Sequence, residues 1–152
     1  MDDADVARLR IAAAVLAAVV AGIHLLHPSQ GGVALVVYAR EGYLGDPRPL
    51  FFTLGAFALV FGVIAGAQGL TGRRLYLGGI AVTLAFLLGF LAWHTALDHG
   101  GFWPHLEANE HSHRHPLLVA ADHLRRDGLL LAATLAELGL LAALAVLYRA
   151  DR

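Results

Sequence analysis

The stretch LYLGGIAVTLAFLLGFLAWHTAL, residues 75 to 97, decides the fold of this chain because it contains no Asp, Glu, Lys or Arg. A helix of about 20 residues crosses the roughly 30 Å of hydrocarbon in a bilayer. Three further apolar stretches of similar length lie at about 8 to 27, 50 to 70 and 128 to 148. The sequence therefore predicts an all-α integral membrane protein, a four-transmembrane-helix bundle that forms one domain over residues 1 to 152.

The composition agrees with a membrane protein and limits the chemistry. Of the 152 residues, 58% are hydrophobic and 15% are charged, which leaves too little polar surface for a soluble domain. The net charge of -1 argues against a nucleic-acid partner and leaves the lipid bilayer as the main one. With no cysteine and Met1 as the only methionine, a metal site would use imidazole and carboxylate ligands. Basic residues that are all arginine, in a chain rich in alanine and glycine, are typical of a GC-rich prokaryotic genome.

The arginines indicate the orientation of the bundle in the membrane. Three short segments carry them in pairs, before the first span, between the second and third, and after the fourth: Arg8, Arg10, Arg73, Arg74, Arg149 and Arg152. Short loops rich in arginine face the cytoplasm. We therefore expect cytoplasmic N- and C-termini in a plasma-membrane protein. The longer loops at about 28 to 49 and 98 to 127 then face outward, and each has an apolar segment that predicts a short interfacial helix.

All nine histidines lie toward the outer side in this topology. His24 and His27 are three residues apart and His94 and Asp98 are four apart, so each pair lies on one helix face. If the first and third spans meet, three imidazoles and a carboxylate converge at a similar depth. That ligand set suits a divalent transition metal such as zinc, iron or Cu(II).

Further titratable residues form a secondary set. On a continuous helix, His99 would be rotated away from His94, which favours a supporting role. The spacing His-x-His-x-His in the second outer loop, followed by a histidine near the fourth span, is typical of weak metal binding or of pH sensing. The secondary candidates are His99, His111, His113, His115 and His123.

Two features inside the spans also call for an explanation. Glu137 lies near the centre of the fourth span, where an isolated carboxylate is costly, and this position favours a proton relay with Thr83, Thr134 or Gln68 as polar neighbours. Gly62 and Gly66 form a GxxxG pattern, which predicts close helix packing.

Three functions remain open at this stage. The first is a metal-binding membrane protein that holds or handles a divalent ion at the outer ends of spans one and three. The second is an electron-transfer subunit with b-type haem held by axial histidines. The third is a non-catalytic accessory subunit of a membrane complex, or a homo-oligomer, in which the outer loops form an interaction surface. Whether the protein is an enzyme is left open.

Overall fold

The computed structural model describes residues 2–104, 106 and 115–151, apart from the side chain of Asp98. These described residues are all-helical in their regular structure, and four of their six helices are long and apolar enough to cross a membrane. His111 and His113 lie outside the described residues. The helices are α1 (Asp3–Leu26), α2 (Gly32–Glu41), α3 (Arg48–Ala67), α4 (Arg73–His94), α5 (Pro116–Arg126) and α6 (Gly128–Ala150).

The helix ends follow from local capping chemistry. Asp2 accepts a hydrogen bond from the Asp5 amide at 2.7 Å, so α1 begins before the apolar stretch does. Asp127 accepts from the amides of Leu129 and Leu130 at 2.9 and 3.0 Å and starts α6. Since Asp127 is the only residue between α5 and α6, the position of α5 is tied to that of α6.

The four long helices form a ring in which each has two neighbours. In the described part of the chain, α1 packs against α3 and α6, and α4 packs against the same two helices. Helices α1 and α4 are therefore diagonally opposite. The short helix α2 packs on α1 and α3, and α5 packs on α4 and α6.

The two ends of the bundle differ in chemistry. Near the starts of α1 and α4, Arg10 Nε donates to the Tyr76 hydroxyl at 3.0 Å, and Arg73 donates to the Tyr148 hydroxyl near the end of α6 at 2.7 Å. We name this the arginine end. The opposite end, which carries the ends of α1 and α4 together with α2 and α5, is named the histidine end.

Glycines allow close helix packing at Gly79 but not at Gly62 and Gly66. At Gly79, an added Cβ would lie 2.8 Å from a Leu144 methyl, so α4 and α6 approach closely there and the Leu144 side chain would have to move. The close packing predicted for Gly62 and Gly66 is not found. The nearest atoms to a Cβ at those positions are Leu75 methyls at 4.0 and 3.9 Å, and both glycines line a cavity instead.

Candidate metal centre

Three histidines from different segments come together at the histidine end. His94, His99 and His123 each offer one ring nitrogen, and these three nitrogens lie within 4.8 Å of one another. The centroid of the His94 ring lies 4.4 Å from that of His123 and 4.9 Å from that of His99. All three residues are partly buried. We call this group the histidine triad.

The turn after α4 brings His99 back over His94. Helix α4 ends at His94, not at residue 97, and the chain then forms a single helical turn over Asp98–Gly100. His99 has φ 56°, in the left-handed region that costs a residue other than glycine roughly 1–2 kcal/mol. The prediction that His99 is rotated away from His94 assumed a continuous helix. It does not hold because the helix ends first.

Backbone hydrogen bonds fix two of the three rings. His94 Nδ1 lies 2.9 Å from the Phe90 carbonyl oxygen, and His123 Nδ1 lies 2.8 Å from that of Val119. A carbonyl oxygen only accepts, so Nδ1 carries the proton on both rings. In the neutral rings the lone pair is then on Nε2, which is the usual arrangement of metal-ligating histidines.

The spacing of the triad nitrogens fits a metal ion. His99 Nε2 and His123 Nε2 are 3.2 Å apart. Two imidazole nitrogens bound to one tetrahedral zinc at 2.0–2.1 Å would be about 3.3 Å apart. With no metal bound, the same two atoms share one proton in a hydrogen bond. A zinc ion would take the place of that proton, so the rings of His99 and His123 would need to move little.

The predicted ligand set is divided between two depths. His24 contacts the Phe86 ring at a centroid distance of 4.1 Å, and His94 lies eight residues further along α4. At a rise of 1.5 Å per residue the two levels are about 12 Å apart. In addition, α1 and α4 are diagonally opposite in the bundle, an arrangement that spacing along the chain does not reveal. The side chain of Asp98 is outside the described residues.

His123 is the member of the histidine triad that the sequence alone undervalues. It lies on the short amphipathic helix α5, where Asp122 and Arg126 form an ion pair at 3.0 Å one turn apart. The sequence feature that could have indicated His123 is the polar face of this helix, which leads directly into a long apolar helix. His115, by contrast, is exposed and caps α5, accepting from the Leu117 amide at 3.3 Å.

A second, buried pair lies deeper in the bundle. His24 Nε2 and Glu137 Oε1 are 2.7 Å apart, with His24 8% and Glu137 3% exposed. The His24 ring lies against Phe52 and Phe86, at centroid distances of 4.6 and 4.1 Å. His24 is therefore the polar neighbour of Glu137. The predicted neighbours Thr83 and Thr134 donate to carbonyls of their own helices instead.

His27 has a different environment just beyond the end of α1. Burial lowers the pKa of His27 below the ordinary value of 6.5, the charge of Asp127 raises it, and His24 and Arg48 lower it further. His27 Nδ1 accepts a hydrogen bond from the Gln30 amide at 3.1 Å, which the neutral ring allows. His27 therefore supports the turn between α1 and α2 in its uncharged form.

The lowered pKa of His27 predicts how the stability of the protein depends on pH. An unfolded chain protonates His27 near pH 6.5, whereas the folded chain does so only at lower pH, so the free energy of unfolding falls as the pH drops below 6.5. We expect His27→Asn, which keeps a side-chain acceptor, to make this fall less steep. Detergent-based unfolding measured across this pH range checks it. Equal slopes for both proteins would contradict the assignment.

The fold and the triad together define a class: an all-helical protein with four helices able to span a membrane and a histidine cluster at one end. Comparison of the chain with protein-family models, with curated proteins and with solved structures finds no match. The chemistry of the site is therefore the basis for a functional proposal.

Proposed function

We propose that this protein binds a divalent transition metal, zinc in the first place, through Nε2 of His94, His99 and His123 at the histidine end. The observation that carries the proposal is the convergence of three ring nitrogens within 4.8 Å of one another. Imidazole suits zinc, copper, iron and nickel. A spacing of 3.2 Å between two of the nitrogens favours a tetrahedral ion, the geometry that zinc prefers in proteins.

Three protein ligands leave one tetrahedral position for water or another ligand. Metal centres with an open position either catalyse reactions or pass the ion on. We propose metal holding or handling and not catalysis. His24, His27 and Asp98, which spacing placed in the first set, lie outside this proposed ligand group. His111, His113 and His115 would serve as weak, secondary metal contacts in the loop.

We favour zinc over the b-type haem alternative, in which axial histidines of spans one and three would hold one iron. His24 lies about 12 Å from the level of His94 along the bundle, which is too far for the two rings to share one iron. His24 Nε2 also lies 2.7 Å from Glu137 Oε1, so that nitrogen already has a partner.

Elemental analysis tests the proposal. We expect the detergent-purified protein, stripped with a chelator and reloaded with zinc, to retain one zinc per chain and to show no Soret absorption. A Soret band would establish haem and overturn the proposal. If the protein retained no metal, the metal proposal would fail. The remaining alternative would be an accessory subunit whose outer surface docks a membrane complex or a second copy.

We also propose that Glu137 and His24 act as a proton-holding pair inside the bundle. Their hydrogen bond is supported by the 2.7 Å distance, and the burial of both side chains separates them from water. Intramembrane carboxylates with a polar partner commonly relay protons or ions. The pair and the triad are distinct sites at different depths.

A further inference from the structure

We infer that a cavity at the arginine end binds one anionic phospholipid, with a hydrocarbon chain inside the cavity and the phosphate at Arg10 and Arg74. The cavity has a volume of about 660 Å³ and lies between α1, α3 and α4, with residues of α6 at its base. This volume is within the range of roughly 300–1,000 Å³ that is usual for small-molecule sites. The site is separate from both the histidine triad and the His24–Glu137 pair.

Small residues on three helices create the space. Gly62 and Gly66 of α3 and Gly78 of α4 line the cavity, as do alanines of α1. At Gly78, an added Cβ would meet no atom within 4 Å. A protein interior is normally packed without voids of this size, so an apolar space open to the bilayer is filled by a hydrocarbon chain.

The charge at the mouth of the cavity selects the headgroup. Arg10 and Arg74 are the charged residues that line it, and no carboxylate does. Both side chains are exposed, and in the described part of the chain neither forms a salt bridge with an acidic residue. Arg10 Nε donates to the hydroxyl of the buried Tyr76, which fixes the guanidinium at the rim.

Two positive groups beside an apolar space match an anionic phospholipid. Guanidinium groups form charge-assisted hydrogen bonds with phosphate oxygens, and basic residues at a membrane surface attract anionic lipids. A protein helix docking here would need an acidic residue at the same depth to match the charge. In a phospholipid the negative phosphate is already next to the hydrocarbon chains, as the arginines are next to the apolar cavity.

Native mass spectrometry of the intact protein in detergent tests this inference. With added dioleoyl phosphatidylglycerol or dioleoyl phosphatidylcholine, we expect one strongly retained phosphatidylglycerol and weaker retention of phosphatidylcholine. In the variant R10Q/R74Q the preference for phosphatidylglycerol should fall by about fivefold for each arginine removed. The control R8Q should keep it, because Arg8 pairs with Asp5 and does not line the cavity.

A matched pair of glycine variants tests whether the hydrocarbon chain of the lipid binds inside the cavity. Gly78→Leu fills the cavity and should abolish retention of both lipids. Gly89→Leu lies on the same helix, also meets no atom within 4 Å, and is outside the cavity, so retention should be unchanged. Thermal unfolding in detergent should be similar for the two variants, which separates loss of the site from loss of the fold.

Several outcomes would overturn the inference. Equal retention of the two lipids by the wild-type protein would remove the role of the arginines. Unchanged retention in Gly78→Leu would place the lipid elsewhere. Displacement of the phospholipid by inorganic phosphate at equal concentration would show an anion site without a hydrocarbon chain. A dimer in place of a lipid adduct would show that a second copy fills the cavity.

Discussion

Zinc affinity should fall on the order of a hundredfold when His123 is replaced by asparagine. Structural zinc sites contribute roughly 10–16 kcal/mol from four ligands, so one ligand is worth about 3 kcal/mol, or a factor of about a hundred. Asparagine resembles histidine in size and polarity, and it has no ring nitrogen at the position of Nε2. Isothermal titration of the chelator-stripped protein with zinc measures the change.

The chain offers a matched control for this experiment. His115→Asn alters a histidine of the same segment that caps α5, and asparagine is itself a good capping residue. Zinc affinity at the principal site should therefore be unchanged in His115→Asn. If His115→Asn weakened zinc as much as His123→Asn, the loop histidines would hold the ion and the triad would not.

His99→Asn extends the test to the left-handed turn. Asparagine adopts the left-handed region more readily than most residues, so the turn after α4 should persist without the ligand nitrogen. We expect a loss of zinc affinity similar to that of His123→Asn. The circular dichroism spectrum should not change, which separates the loss of a ligand from the loss of the turn.

The second large effect should come from breaking the buried pair. Glu137→Leu leaves the His24 ring nitrogen without an acceptor among Phe52 and Phe86, and removal of one buried partner costs about 3 kcal/mol or more. The double variant His24→Phe/Glu137→Leu removes both polar groups and should recover most of that loss. Unfolding in mixed detergent micelles measures the free energy of each variant.

The same variants test the proposed proton-holding role of the pair. The infrared difference spectrum between the wild-type protein and Glu137→Gln should contain a band from the Glu137 side chain. The frequency of that band should change in His24→Phe, because the hydrogen bond from His24 is lost. If the losses of the two single variants simply added in the double variant, the two side chains would not be energetically coupled. If the Glu137 band were the same with and without His24, the hydrogen bond between the two side chains would not exist.

The sequence predicts the four long apolar helices because length and apolarity are local properties of one segment. The caps Asp2 and Asp127, which start α1 and α6, are also local features. The boundary of α4 is the exception that matters. Its apolar stretch continues past His94, although the helix does not, and the change in direction brings His99 to the triad.

The candidate site could be predicted only in part because it depends on which helices are neighbours. Spacing correctly indicates that histidines gather at one end, but it gives no information on the order of helices around the bundle. The ring order places His24 beside Glu137 of α6. The packing of α5 on α4 brings His123 to the triad, although His123 is 29 residues from His94 in the sequence. A pattern within one segment does not contain either relation.

X-ray absorption at the zinc edge tests the central claim most directly, because it reports the atoms that surround the ion. For the zinc-loaded protein we predict a first shell of nitrogen and oxygen at about 2.0–2.1 Å with the scattering of three imidazoles, falling to two in His123→Asn. A shell of water and carboxylate oxygens alone, or the same imidazole number in both proteins, would contradict metal binding by His94, His99 and His123.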